Sequence, residues 1–119
     1  MSEQTLLNKL SKQPEQVTFQ EVIDTITANY HYTPSRFSNG QGDDCVTSEA
    51  GSNEGSCKIF AFAKLNNLTE QQTLHCFGDY YRVDVLQHPD GNDHGNIRSF
   101  MRHGWNGIQF DQMPLSEKA

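Results

Sequence analysis

Three groups of side chains in this chain have the types and spacing to do chemistry. The first is Cys57, which follows Gly55-Ser56 at the head of an apolar run. A thiol at a helix start has a favoured thiolate, and with a histidine nearby as base it could act as a nucleophile. No signature of a thiol enzyme flanks it, and Gly-Ser-Cys also reads as a cap followed by a core residue. The second group is His88, Asp90, Asp93 and His94, with Asn96 and Arg98 just beyond. Imidazoles and carboxylates bind divalent metals, yet this spacing matches neither the two-histidine helix of zinc hydrolases nor an EF-hand loop. No metal is therefore assigned, and turn chemistry with helix capping is the simpler use of these residues. The third group is Arg82, Arg98 and Arg102. A four-residue spacing would put Arg98 and Arg102 on one helix face, able to grip a carboxylate or phosphate. Ion pairs with Glu54, Asp79 or Asp84 would use them up more simply.

The elements that must position these groups can be read from periodicity. Residues 57–65, Cys-Lys-Ile-Phe-Ala-Phe-Ala-Lys-Leu, are apolar in nearly every direction, so they predict a buried central helix entered through Asn53-Glu54-Gly55-Ser56. Thr18 with Glu21, and Thr69 with Gln72, have capping-box spacing and open two further helices. Behind Thr18, Phe19, Val22, Ile23, Ile26 and Tyr30 recur at helical period. Leu6, Leu7 and Leu10 fit a short helix over residues 2–10. Gly78-Asp79 marks a break and a new cap before residues 80–86, where Tyr81, Val83 and Val85 also alternate as a strand would; the helical period of Phe77, Tyr81 and Val85 decides for helix. Asp93 is the expected cap of a last helix running to His103, stopped by Gly104. Residues 33–53 are rich in Ser, Asn, Gly and Asp and read as a long polar loop tethered by Phe37 and Val46. The expected fold is mostly α: one compact domain over residues 1–119, five or six short helices with long polar loops and at most one small β element. Residues 1–15 and 113–119 are expected to be flexible ends. The expected core is Phe19, Ile23, Ile26, Ile59, Phe60, Phe62, Leu74, Phe77, Ile97, Phe100 and Met101, with Trp105 as a lid.

Composition narrows the function classes. The chain has 119 residues, only 34% of them hydrophobic, and a net charge of −6. That charge argues against nucleic acid and against anionic membrane surfaces as partners. No apolar run reaches the length of a membrane span, and the N-terminus lacks the pattern of a secretory signal peptide. The three cysteines, Cys45, Cys57 and Cys76, match no metal or redox spacing and read as reduced thiols. A cytoplasmic monomer follows from these features, with no cofactor called for.

Several stretches taken together resemble one known family. Tyr32-Thr33-Pro34, Phe37-Ser38-Asn39-Gly40, Asn53-Glu54-Gly55-Ser56-Cys57-Lys58, Phe77-Gly78-Asp79-Tyr80-Tyr81-Arg82, Asp93-His94-Gly95-Asn96-Ile97-Arg98 and Gly104-Trp105 are similar, in order and spacing, to the HopJ family of type III effector-like proteins. The likeness covers about residues 16–112. It implies a small effector-like protein, cytoplasmic or, if a true effector, secreted into a host cell, and it carries no catalytic residues across. The family's distinctive stretches are polar and glycine-bearing beyond what a core requires. They point to a surface site drawn from Asn53, Glu54, Ser56, Lys58, Arg82, Asp93, His94, Asn96 and Arg98. Side-by-side helix starts at 56 and 94 would make that site friendly to an anion, helped by Lys58, Arg98 and a protonated His94. The expected role is a non-enzymatic interaction module binding a protein or a small anionic ligand. The alternatives are a small enzyme or ligand-binding domain using Cys57, His94 and Arg82 in one cleft, or a metal-binding regulatory domain around His88 and His94.

Overall fold

A computed structural model describes residues 2–118. Its centre is the predicted apolar helix, α3 (Glu54–Leu65), in which Ile59, Phe60, Ala61, Phe62 and Ala63 are wholly buried. Phe60 meets Phe37, Phe77 and Phe100 at centroid distances of 6.1, 5.5 and 5.1 Å, so three other elements converge on one ring. Around it stand α1 (Glu3–Lys12), α2 (Phe19–Asn29), α4 (Glu70–His75), a π-helix (Tyr80–Val85) and α5 (Gly95–His103). Both predicted capping boxes form: the Thr18 and Thr69 hydroxyls accept from the backbone of Glu21 and Gln72, whose side chains bond back. The segment 80–85 is helical as read, but wound with i to i+5 bonds such as Leu86 N–H to the Tyr81 carbonyl. Asp79 is itself helical and caps nothing; the break lies at Gly78, with φ +60°. A Cβ at Gly78 would come within 2.7 Å of the Phe19 nitrogen, so glycine lets this corner press against the start of α2.

The β content exceeds the expectation. Residues read as a long polar loop form the hairpin β2 (Phe37–Gln41) and β3 (Asp44–Ser48), and β4 (Ile108–Phe110) joins them in the antiparallel order β3-β2-β4. The alternation was illegible because the inward positions of β2 are Phe37 and Asn39. Asn39 is fully buried and held by α5: its side-chain NH₂ donates to the Asn96 carbonyl, and its backbone carbonyl accepts from Ser99 Oγ, while its Oδ1 has no partner among the described residues. That polar seam also turns α5, so Asn96, Ile97, Ser99 and Phe100 face inward while Met101 is 45% exposed, against expectation. Phe19 and Ile23 are half-buried at the core's margin, and the other expected core residues are buried. The ends expected to be flexible are packed. Leu6 and Leu10 of α1 are buried, and β5 (Leu115–Glu117) pairs antiparallel with β1 (Tyr30–Tyr32), burying Leu115.

Candidate functional site

Helix starts differ within the molecule. α1, α2 and α4 are capped by the side chains of Ser2, Thr18 and Thr69. α3 and α5 have no side-chain cap; their cap residues, Asn53 and His94, are both left-handed, with φ of 52° and 51°. Asp93, expected to cap α5, bonds Arg98 instead. A left-handed residue leading into helical ones turns successive N–H groups towards one side, a geometry suited to anions. The amides of Cys57 and Arg98 bond back to Asn53 and His94. The earlier ones, Glu54, Gly55 and Ser56 on α3 and Gly95, Asn96 and Ile97 on α5, have no acceptor among the described residues.

These two starts open on one cavity of about 410 Å³. Its polar side is Asn53, Gly55, Ser56, His94, Gly95 and Asn96; its apolar wall is Phe19, Phe77, Tyr80, Ile97 and Val46. The rings of Phe19 and Tyr80 meet edge to face at 5.1 Å, and Tyr80 leans on the His94 imidazole at 5.4 Å. His94 is held there by its Nε2, 3.0 Å from Asp84 Oδ2. The two glycines keep the floor open. A Cβ on Gly55 would sit 3.1 Å from Phe19 Cζ, and one on Gly95 would meet nothing nearer than Val46 at 3.8 Å.

The orientation of Asn96 follows from its neighbours. The Asn39 amide lies 2.8 Å from the Asn96 backbone carbonyl, which can only accept, so the Asn39 atom there is the NH₂. The same nitrogen is 3.0 Å from the Asn96 side chain, which must therefore turn its Oδ1 towards it. The Asn96 Nδ2 is left with no acceptor among the described residues, in a side chain that lines the cavity on a residue only 6% exposed.

The structure brings Asn53, Ser56, His94 and Asn96 of the expected site together and sends the others elsewhere. Arg98 is spent on the chain around it: Nε and Nη2 donate to the Asp93 carbonyl and Oδ1, and Nη1 to the His88 carbonyl at 2.9 Å. It thus bolts the 88–93 turn and offers no grip to a ligand. Arg82 donates to the Pro14 and Val17 carbonyls and meets His75 Nδ1, tying α4 to the turn before α2; it lines a smaller pocket that shares Phe19 and Tyr80 with the cavity. The Lys58 ammonium lies over the Tyr32 ring at 4.7 Å, away from the cavity, and Glu54 is exposed outside it. Arg102 pairs with Asp44. The ion-pair partners expected for the arginines, Glu54, Asp79 and Asp84, are not the ones used.

The alternative cleft of Cys57, His94 and Arg82 does not assemble. Cys57 is 1% exposed, with its thiol directed at the Ser35 carbonyl 3.8 Å away. Burial pushes that thiol up, opposite to the activation a nucleophile needs. No group of three or more His, Cys, Asp or Glu among the described residues is placed to hold a metal ion, His88 and His94 included. The aromatic wall was missed in the sequence because Phe19 and Phe77 belong to core stripes. A usable signal was the pair of glycines, Gly55 and Gly95, set inside the first turn of two helices that glycine otherwise weakens.

The protein is thus helical with small antiparallel sheets and an open cavity at the starts of two helices. The chain belongs to the family described as HopJ type III effector protein, whose model matches residues 3–115. It is also similar to a crystal structure of a protein of unknown function, VPA0580, with 47% identity and a TM-score of 0.94, covering 99% of this chain and 95% of that one. A comparison with curated proteins finds no match. No helix among the described residues is long and apolar enough to cross a membrane.

Proposed function

We propose that this HopJ-family protein is a non-enzymatic interaction module that binds its partner through an anionic group seated between the starts of α3 and α5. The observation carrying this is the convergence of two uncapped helix N-termini, with their unbonded amides, on one cavity. Aligned peptide dipoles give each start roughly half a positive charge, and free N–H groups supply directed donors. The Asn96 Nδ2, unpartnered among the described residues and on a residue of the cavity lining, adds a donor from the side. Ser56 and His94 both line the cavity, but no hydrogen bond joins them among the described residues, which favours binding over catalysis. In an effector role the partner would belong to a host cell; in a resident role it would be cytoplasmic.

The test is a titration of the labelled protein with sodium acetate and sodium phosphate, followed by amide chemical shifts. The expected result is saturable shifts at residues 54–56 and 95–97 with at least one anion. Shifts spread evenly over the surface, or none at those six amides, would remove the anion site.

A further inference from the structure

Resting on that reading, we infer that the group bound is a singly charged carboxylate carried on an apolar, ring-sized body. The charge of the cavity sets the first half. Its positive character comes from two helix starts, together about one elementary charge. No lysine or arginine side chain lines it, since Lys58, Arg82 and Arg98 are all engaged elsewhere. Its histidine already faces Asp84 at 3.0 Å, with Asp93 at 3.9 Å, and Glu54 stands in the first turn of α3. One negative charge is matched by this arrangement. A second, as on a phosphate monoester at neutral pH, would meet the acidic rim without a cation to offset it.

The donor set agrees. The six backbone N–H groups and the Asn96 NH₂ donate and cannot accept, so together they favour a ligand with two bare acceptor oxygens; a primary amide replaces one of these with an NH₂ that would face donors. The wall sets the second half. Phe19, Phe77, Tyr80 and Ile97 line the same space, and about 410 Å³ lies at the small end of the range for ligand cavities. An aromatic or branched aliphatic acid fits both demands. It can arrive as a free organic acid or as the C-terminal residue of a peptide.

The experiment compares 3-phenylpropionate, 3-phenylpropionamide and phenyl phosphate by calorimetry at pH 7.5, together with a short acetylated peptide ending in phenylalanine as the acid and as the amide. The carboxylate is expected to bind at least tenfold more tightly than phenyl phosphate or the propionamide. The peptide acid binding and its amide failing would identify a chain terminus as an accepted source; the free acid binding alone would identify a small molecule. Asn96→Asp keeps an oxygen facing the Asn39 donor but replaces the cavity's NH₂ with an anion, so carboxylate affinity should fall tenfold or more while the fold holds. Phenyl phosphate binding more tightly than the carboxylate would overturn the carboxylate assignment and leave the anion site standing. If the propionamide binds as well as the acid, or Asn96→Asp binds the acid as well as the native chain does, the carboxylate assignment also fails. Silence from every anion here, together with no acetate or phosphate shifts at the six amides, would overturn both.

Discussion

α4 and α5 pack in the same domain and begin in opposite ways. At the start of α4, Thr69 and Gln72 satisfy each other's free amides, and the helix is closed to outsiders. At the start of α5, His94 takes a left-handed conformation, contributes no cap, and leaves three amides facing a cavity shared with α3. A cap is worth about 1 kcal/mol, and a left-handed conformation is less favourable for residues other than glycine, asparagine being among the most tolerant. A helix that forgoes the first and accepts the second, twice and in one place, has its donors available for something else. The difference separates helix starts that serve the fold from helix starts that serve a ligand.

Both kinds of start stand on the same core, and Phe60 is where that core gives the largest expected effect. Its ring touches Phe37, Phe77 and Phe100, so it joins the hairpin, the end of α4 and α5 to α3. Phe60→Ala should cost about 3–5 kcal/mol by lost transfer energy plus the cavity left behind. Urea unfolding followed by circular dichroism measures it. A midpoint that stays put would show that α3 is not the common floor.

Next in size is the capping difference itself. Thr69→Ala should destabilise the protein by about 1 kcal/mol, because two reciprocal bonds are lost. Asn53→Gly should change stability by less than about 0.5 kcal/mol. It gives up the bond from Nδ2 to Ser48 Oγ, but places the residue most tolerant of a positive φ where φ is 52°. Equal losses in the two variants would mean that Asn53 acts as an ordinary cap.

The contrast also marks where the sequence was legible. Side-chain capping is a local code, so Thr18 and Thr69 announced their helices, and the all-round apolar run announced α3. The uncapped starts were placed only approximately, because nothing local says that Asn53 and His94 turn left-handed or that Asp93 leaves its cap for Arg98. Long-range polar pairing was the least legible. Asn39, in a stretch of serines and glycines, reads as loop until Asn96 and Ser99 arrive from 57 and 60 residues away. That one seam hid the β2–β3 hairpin, turned Met101 outward and fixed which way round the Asn96 amide sits. The arginines misled for a related reason: a guanidinium with many donors is as useful to backbone carbonyls of the same chain as to a ligand.

The smallest effect concerns the other end of α5, where the donors are all spent. Asp44 on the hairpin accepts from Arg102 Nε and Nη2 at 2.7 and 3.0 Å and lies 2.7 Å from His103 Nε2. Bonds from Arg102, then His103, hold its carboxyl at about 2, below the ordinary 3.8. In the unfolded chain this carboxyl protonates near its ordinary value while the folded one is still ionised. Between about pH 4 and pH 2 the unfolded state therefore binds the extra proton, and stability falls as the pH falls through that window. The contribution is complete above about pH 4 and small, because the pair is solvent-exposed. Asp93, held down by Arg98, and Glu21, where bonds from Lys9 and Thr18 outweigh the upward pull of burial, share the same acid dependence. Asp44→Asn should therefore flatten the fall in the unfolding midpoint over this window without abolishing it. It should leave the 54–56 and 95–97 amides and their anion response untouched. An Asp44→Asn protein that loses anion binding along with its acid sensitivity would mean that the two ends of α5 are coupled, and that the spent end holds the open one in place.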